Sequence, residues 1–337
     1  MRYLSLCSGI EAATVAWHPM GWEPAAFAEI EVFPAAVLRH HYPDTPNLGD
    51  MTKWRDWNVG AIDLLVGGTP CQSFSVAGLR SGLSDPRGGL MLTFLEIAQS
   101  LRPRWVVWEN VPGVLSSGGG RDFGSFLGAL GELGYGWAYR VLDAQWCRVD
   151  GYERAVPQRR RRVFVVGCLG DATRAAKVLF ERQSVERNPV PRRAKAQGAA
   201  ADAEDGARSD RIHETVGALC ADTHPGAYSG QDAYTGRLIP AVAGTIDCDI
   251  PKQRVQNMAA GHRLAVATQM VVRRLTPVEC ERLQGFPDDY TNIPWRGKAE
   301  APDGPRYKAL GNSMAVNCMR WIGRRIDAVE KGTELPA

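Results

Sequence analysis

Two residues are suited to covalent chemistry together: a cysteine just behind a Gly-Gly-Thr-Pro segment, and a carboxylate that closes a second apolar run. Cys71 follows Gly67-Gly68-Thr69-Pro70, which ends the apolar run Ile62-Asp63-Leu64-Leu65-Val66. That run reads as a buried strand. Glu109-Asn110 ends the run Trp105-Val106-Val107-Trp108. Ligands bind at the C-terminal edges of strands in open α/β sheets, so a nucleophile and an acid are expected side by side. A free cysteine is more often a small buried hydrophobe, but Cys71 stands on a loop, between Pro70 and Gln72. An ordinary thiol, with a pKa of about 8.5, is only a few per cent thiolate near neutrality. It therefore needs positive charge or hydrogen-bond donors nearby. The run Gln158-Arg159-Arg160-Arg161-Arg162 offers both. The plain alternative is a solvated basic strip. Because the run leads into an apolar strand, alternate side chains share a side. Arg160 and Arg162 then face a cleft, and Arg159 and Arg161 face elsewhere.

Other polar residues sit where strands give way to turns. Cys7-Ser8-Gly9-Ile10-Glu11 follows the candidate strand Tyr3-Leu4-Ser5-Leu6. A glycine there admits a ligand to the backbone, and the helix behind it offers free N–H groups. The turn does not match G-x-G-x-x-G, so a dinucleotide is not the first choice. Glu29 ends a second strand, where an acid can accept from both hydroxyls of a ribose. Taken alone, Glu29 and Asp50 (in Gly49-Asp50-Met51) read as ordinary loop residues.

The elements that must hold these groups alternate. Helices are expected over Ile10–Trp17, Val32–His41, Leu90–Leu101, Phe123–Leu133 and Asn317–Glu330. Further strands are expected at Tyr139–Leu142 and Val163–Val166. Such alternation implies an α/β fold with a doubly wound, mostly parallel sheet. The pattern fails after Gly170. Residues 192–211 are rich in Ala, Arg, Asp and Gly without a period, and read as an exposed connection. Two similar pieces, Val216–Cys220 and Val242–Ile246, are too short to establish a repeat. The expected organisation is a large domain over 1–170, a smaller irregular one over 171–305 with a variable core at 171–272, and a segment 306–337 that returns to the large domain.

At 337 residues the chain is long enough for this arrangement. Its net charge of +3 permits nucleic-acid binding without indicating it, so local clustering must carry that argument. The 8 cysteines are scattered, with no C-x-x-C pair. Structural zinc is therefore not expected, and a reducing cytoplasm suits free thiols better than a disulfide scaffold. No secretory signal or membrane-spanning stretch is apparent.

The ordered series Cys7-Ser8-Gly9, Glu29, Gly49-Asp50-Met51, Gly68-Thr69-Pro70-Cys71-Gln72-Ser73-Phe74-Ser75, Glu109-Asn110-Val111, Gln158 with Arg160 and Arg162, Arg274-Leu275-Thr276-Pro277 with Arg282-Leu283-Gln284-Gly285-Phe286-Pro287, and Gly311-Asn312-Ser313 resembles the DNA cytosine-5 methyltransferases that use S-adenosylmethionine. The style of the first half resembles enzymes of phages and restriction–modification systems. The resemblance spans the chain apart from residues 171–272, where that family keeps its target-recognition region.

It implies a class I methyltransferase fold and the following roles. Cys71 attacks cytosine C6, Glu109 holds the N3/N4 edge of the base, Arg162 holds O2, and Arg160 helps place the base. Cys7, Ser8, Gly9 and Ile10 line the methionine end of the cofactor. Glu29 holds the ribose, with Ile30 beside it; Asp50 and Met51 meet the adenine. Pro70, Leu90, Asn312, Ser313 and Met314 close the pocket. Gln72, Ser75 and Gln158 meet the DNA. Double-stranded DNA is the implied partner of a protein acting as a monomer, with a cognate restriction endonuclease as a further possible partner. The chain departs from the family at Cys7, where an aromatic is usual, and at Glu11 and Ala12, where glycines are. Glu11 is thereby expected to meet the cofactor ammonium. Two rivals share the fold. One is a tRNA-methylating branch, whose Cys-Phe-Thr signature this chain lacks; the other is a catalytically silent DNA-binding regulator.

Overall fold

The computed structural model describes residues 1–70, 89–148, 155–181, 266–268 and 271–336. Cys71, Gln72, Ser75, both Val216–Cys220 and Val242–Ile246, and most of the expected variable region lie outside these residues.

Six strands form one sheet in the order β2-β1-β3-β4-β6-β5. They are β1 (Arg2–Leu6), β2 (Glu23–Ala28), β3 (Leu64–Gly67), β4 (Trp105–Asn110), β5 (Tyr135–Asp143) and β6 (Arg161–Leu169). β1 runs parallel to β2 and β3, and β3 to β4. Only β6 is reversed, antiparallel to β4 and β5. The ends of β1 to β5 therefore share one edge with the start of β6. Runs such as Leu64-Leu65-Val66 and Trp105-Val106-Val107-Trp108 have no polar alternation because both faces of the sheet are covered.

Successive residues feed two cores. Tyr3, Leu64, Val66, Trp105 and Val107 pack on one side with α1 (Ala12–Trp17), α5 (Ala172–Leu179) and α8 (Val316–Lys331). Leu4, Leu6, Leu65, Val106 and Trp108 pack on the other with α3 (Gly89–Leu101) and α4 (Arg121–Glu132). Helix α2 (Val32–His41) has the bounds expected from sequence, whereas β5 begins at Tyr135 rather than Tyr139. Its first residues include Gly136, a poor strand former, which conceals the strand in the sequence.

The described ends of the stretch 171–305 pack on the large unit. α5 lies on β5 and β6, and Ala175, Val178 and Leu179 are buried in the first core. Leu275, Cys280, Leu283, Phe286 and Tyr290 join that core as well. Apolar residues at both ends of the stretch thus close over the sheet, so the boundary at 170 falls inside the large unit. Between them, Val266–Thr268 and Val271–Arg273 (β7 and β8) pair as an antiparallel hairpin.

The conspicuous motif residues of the last part are structural. Thr276 and Glu279 form a reciprocal capping box that starts α6 (Pro277–Gln284), with Pro277 in its first turn. The buried Glu281 pairs with Arg306 of α7 (Asp303–Asn312) at 3.1 Å. α8 then packs across α1: the Trp17 indole N–H donates to the Met319 carbonyl at 2.7 Å. Gly323 is required at this crossing, since a Cβ there would lie 2.4 Å from Trp17 Nε1. Among the described residues no helix is long and apolar enough to cross a membrane.

Candidate functional site

The β1 turn is built by local hydrogen bonds. Ser8 Oγ donates to the Ser5 carbonyl at 2.9 Å and accepts from the Ala28 N–H at 3.1 Å, which joins the turn to the end of β2. Glu29 stands there. Its Oε2 accepts from the Gly9 N–H at 2.8 Å and its Oε1 from the Glu31 N–H at 2.6 Å. Burial raises its carboxyl above the usual range. Asn47 clamps the Glu29 backbone from both sides, accepting from its N–H at 2.9 Å and donating to its carbonyl at 3.0 Å. Sequence reading missed this residue, because an asparagine among turn residues carries no distinguishing signal. Ile30 beside it is 70% exposed.

Cys7 and Met51 bring their sulfurs to 3.5 Å. Burial, reinforced by Glu29 and Asp50, pushes the Cys7 thiol up to about 12, so Cys7 stays a thiol near neutrality. Asp50 lies below its ordinary value because Thr52 donates to it through both N–H and hydroxyl.

Opposite this turn, β3 and β4 end together. Trp108 Nε1 donates to Thr69 Oγ1 at 3.0 Å, and Asn110 Nδ2 to the Thr69 carbonyl at 2.9 Å. These bonds pin the Gly68-Thr69-Pro70 loop, which leads to Cys71, onto the strand that carries Glu109. Asn110 thereby gains a role that the sequence reading did not assign to it. Glu109 Oε1 pairs with Arg162 Nε at 3.1 Å, and both side chains are largely shielded from solvent. Gly68 makes room for this carboxylate: a Cβ there would sit 2.9 Å from Glu109 Oε2 and 3.0 Å from Met314 Cε.

Ser5, Cys7, Ser8, Gly9, Glu11, Ala12, Ala13, Val66, Gly68, Glu109, Asn312, Ser313 and Met314 line one cleft, with about 380 Å³ of empty space partly open to solvent. The expected groups from β1, β4 and the C-terminal segment thus come together. Of the other expected residues, Glu29, Ile30, Asp50, Met51, Arg160 and Arg162 do not line it, nor do Ile10, Leu90, Pro70 and Gln158. Ile10 is buried in the first core, and its carbonyl accepts from the Tyr290 hydroxyl at 2.9 Å. Leu90 packs against the second core, and Pro70 is exposed.

Three expectations change. Glu11 does not reach outward: its left-handed backbone (φ 66°) turns the carboxylate back to cap α1. It accepts from Ser5 Oγ at 2.8 Å and from Thr14 N–H at 3.2 Å. Burial pushes it up to about 7. Arg160 is buried rather than facing the cleft, and its Nη2 donates to the carbonyls of Gly311 at 3.1 Å and Ser313 at 2.6 Å. It braces the wall formed by Asn312–Met314. Gln158 is fully buried, and both polar atoms of its side-chain amide find no hydrogen-bond partner among the described residues. It is not displayed for contact.

A family model described as C-5 cytosine-specific DNA methylase matches residues 1–328. Among curated relatives, the DNA N-6-adenine-methyltransferase of Escherichia phage P1 is 35% identical, over 96% of this chain and 61% of the relative. The chain thus spans about three-fifths of that protein's length. The type II methyltransferase M2.BsuMI of Bacillus subtilis (strain 168) is 26% identical over 97% of this chain and 75% of the relative. Among solved structures, the S. pombe Dnmt2 methyltransferase superposes with a TM-score of 0.61 at 18% identity, covering 95% of this chain and 96% of that one. The Entamoeba histolytica methyltransferase EhMeth gives 0.55 at 14% identity, covering 99% of each.

Proposed function

The chain belongs to the C-5 cytosine-specific DNA methylase family, and from that premise we propose that it methylates C5 of cytosine within a specific double-stranded DNA sequence. S-adenosylmethionine is the proposed methyl donor and Cys71 the proposed nucleophile. The observation that carries this reading is the Glu109–Arg162 pair, held against Gly68, three residues before Cys71 in the chain, and beside Met314.

The Gly9 turn of the cleft, with Glu29 bonded to it, suits the donor. The Glu29 carboxylate can accept from ribose hydroxyls, and the exposed Ile30 offers an apolar plate for a ring. A Cβ built on Gly9 would meet nothing within 4 Å, so the turn has open space above it. When bound, the sulfonium supplies an electrophilic methyl group. The other chemistry falls to the chain's own residues.

Cytosine C5 lies inside the base stack, so the target leaves the helix at a cost of a few kcal/mol. Cys71 is suited to meet it. Cys7, Cys168 and Cys280 are held as thiols by burial, and Cys318 by its contact with Cys147 and then by burial. Cys71 instead follows the exposed Pro70. Its thiolate adds to C6, and the ring electrons shift to make C5 nucleophilic. After C5 is methylated, loss of the C5 proton and expulsion of the sulfur restore the ring. Glu109 hydrogen-bonds the N3/N4 edge and holds a proton at N3 during attack. Arg162, already fixed by Glu109, donates to O2. Arg160 acts as a positioning residue through Gly311 and Ser313. We assign target recognition, with Gln72 and Ser75 at the DNA, to the chain between α5 and α6.

Bisulfite sequencing of DNA from cells expressing the chain, paired with mass spectrometry of its nucleosides, tests this reading. A single cytosine context converted to 5-methylcytosine is expected, and lost with Cys71→Ser. The phage P1 relative is named for adenine, so N6-methyladenine is read in the same sample. If it were the only new base, the proposal would be overturned. A duplex carrying 5-fluorocytosine in the found context should trap the protein covalently.

A further inference from the structure

The arginine run splits in two. Arg160 and Arg162 turn into the protein, while Arg159 and Arg161 are exposed and the mechanism does not use them. The β5–β6 register pairs Asp143 with Arg161, and the Ala144 N–H donates to the Arg160 carbonyl at 3.0 Å. The two segments therefore stay joined past the strand ends. The turn Ala144–Trp146 begins beside Arg160, and the exposed Trp146 and Arg148 lie in it and just after it. Trp146 is 70% exposed. Among the described residues no carboxylate pairs with the side chains of Arg148, Arg159 or Arg161. Asp143, the acid of this turn, is engaged by Gln145 Nε2 at 2.9 Å and by the Arg160 N–H at 2.9 Å.

This is the sheet edge on which Glu109 and Arg162 meet: Arg161 precedes Arg162 on β6, and Trp146 follows β5, the rim strand. Guanidinium groups are suited to phosphate oxygens, which they contact through paired N–H donors. With a net charge of only +3, the chain must concentrate its attraction for a polyanion locally. We propose that Arg148, Arg159 and Arg161, with the Trp146 ring lying against the sugars, grip the phosphate backbone of the duplex that carries the target base. The proposal rests on the DNA reading above. It adds a register-setting contact that carries no sequence information.

The test is equilibrium binding of the full chain to a fluorescein-labelled mixed-sequence DNA duplex across a salt series. Each phosphate contact contributes about 0.9 to the log–log salt slope. Arg159→Ala with Arg161→Ala should therefore flatten the slope by about 1.8. Lysines at both positions should preserve it. Trp146→Ala should weaken binding and leave the slope unchanged. Circular dichroism melts of each variant exclude unfolding as the cause. An alanine pair that melts like the parent chain yet keeps the full slope would overturn the proposal. So would a loss confined to a transfer RNA probe. If the unaltered chain shows no salt-dependent duplex binding, the DNA reading fails as well. If it binds and methylates while the pair changes nothing, only this surface is refuted.

Discussion

At the residue scale the cleft is set by what has been left out as much as by what is present. Gly68→Ala places a methyl group against Glu109 Oε2 and Met314 Cε. Displacing a reacting group by about 1 Å can cost roughly a hundredfold in rate. Tritium transfer from labelled donor to DNA should fall by about that factor while the melting temperature barely moves. Glu109→Gln keeps the shape and removes the proton carrier. Its kcat should drop by about 10²–10⁴, with duplex affinity retained. Glu11 makes a prediction about stability instead. Its folded carboxyl titrates at about 7 against 4.5 for the ordinary group, because it is buried. Between those values the folded state holds a proton that the unfolded chain has lost. Stability therefore falls as pH rises through that window, by at most ~3 kcal/mol, and levels off above it. Glu11→Gln should remove this component, so its melting temperature should gain on the parent's from pH 5 to pH 8. A gap that stays constant with pH would refute the assignment.

At the element scale the helices hold the strands in place, and their crossings tolerate little change. Gly323→Ala drives a methyl group into Trp17 at the α1–α8 crossing and should cost about 1–3 kcal/mol, measured by urea unfolding. Elements of this kind were largely legible in the sequence. Unbroken apolar runs mark the strands covered on both faces, and Pro43 stops the helix Val32–His41. The fates of Arg160 and Glu11 were not legible. Strand alternation assigns Arg160 a side, which it keeps, but no depth. Its partners, Gly311 and Ser313, come from the far end of the chain. Glu11 is redirected by a backbone conformation that non-glycine residues rarely adopt, so its residue type gave no hint. The end of the large unit was placed early for a related reason: α5 is short, and its apolar face, Ala175, Val178 and Leu179, is modest against the polar composition that follows.

At the scale of the whole molecule, the last segment is part of the site. Arg325 donates to the carbonyls of Lys177, Val178 and Phe180, and Glu330 accepts from Arg104, Trp105 and Arg174. α8 is thereby tied to both α5 and β4. A chain truncated before Asn312 should lose donor binding by calorimetry, and its cooperative melt as well, since the faces of α1 and α5 would stand bare.

The Ser8-Gly9 turn leaves the ribosome before the Asn312–Met314 wall that stands opposite it. No half-made chain can possess the cleft, however well its early strands have paired. The cleft can close only once translation has passed α8 and that helix has packed back on α1.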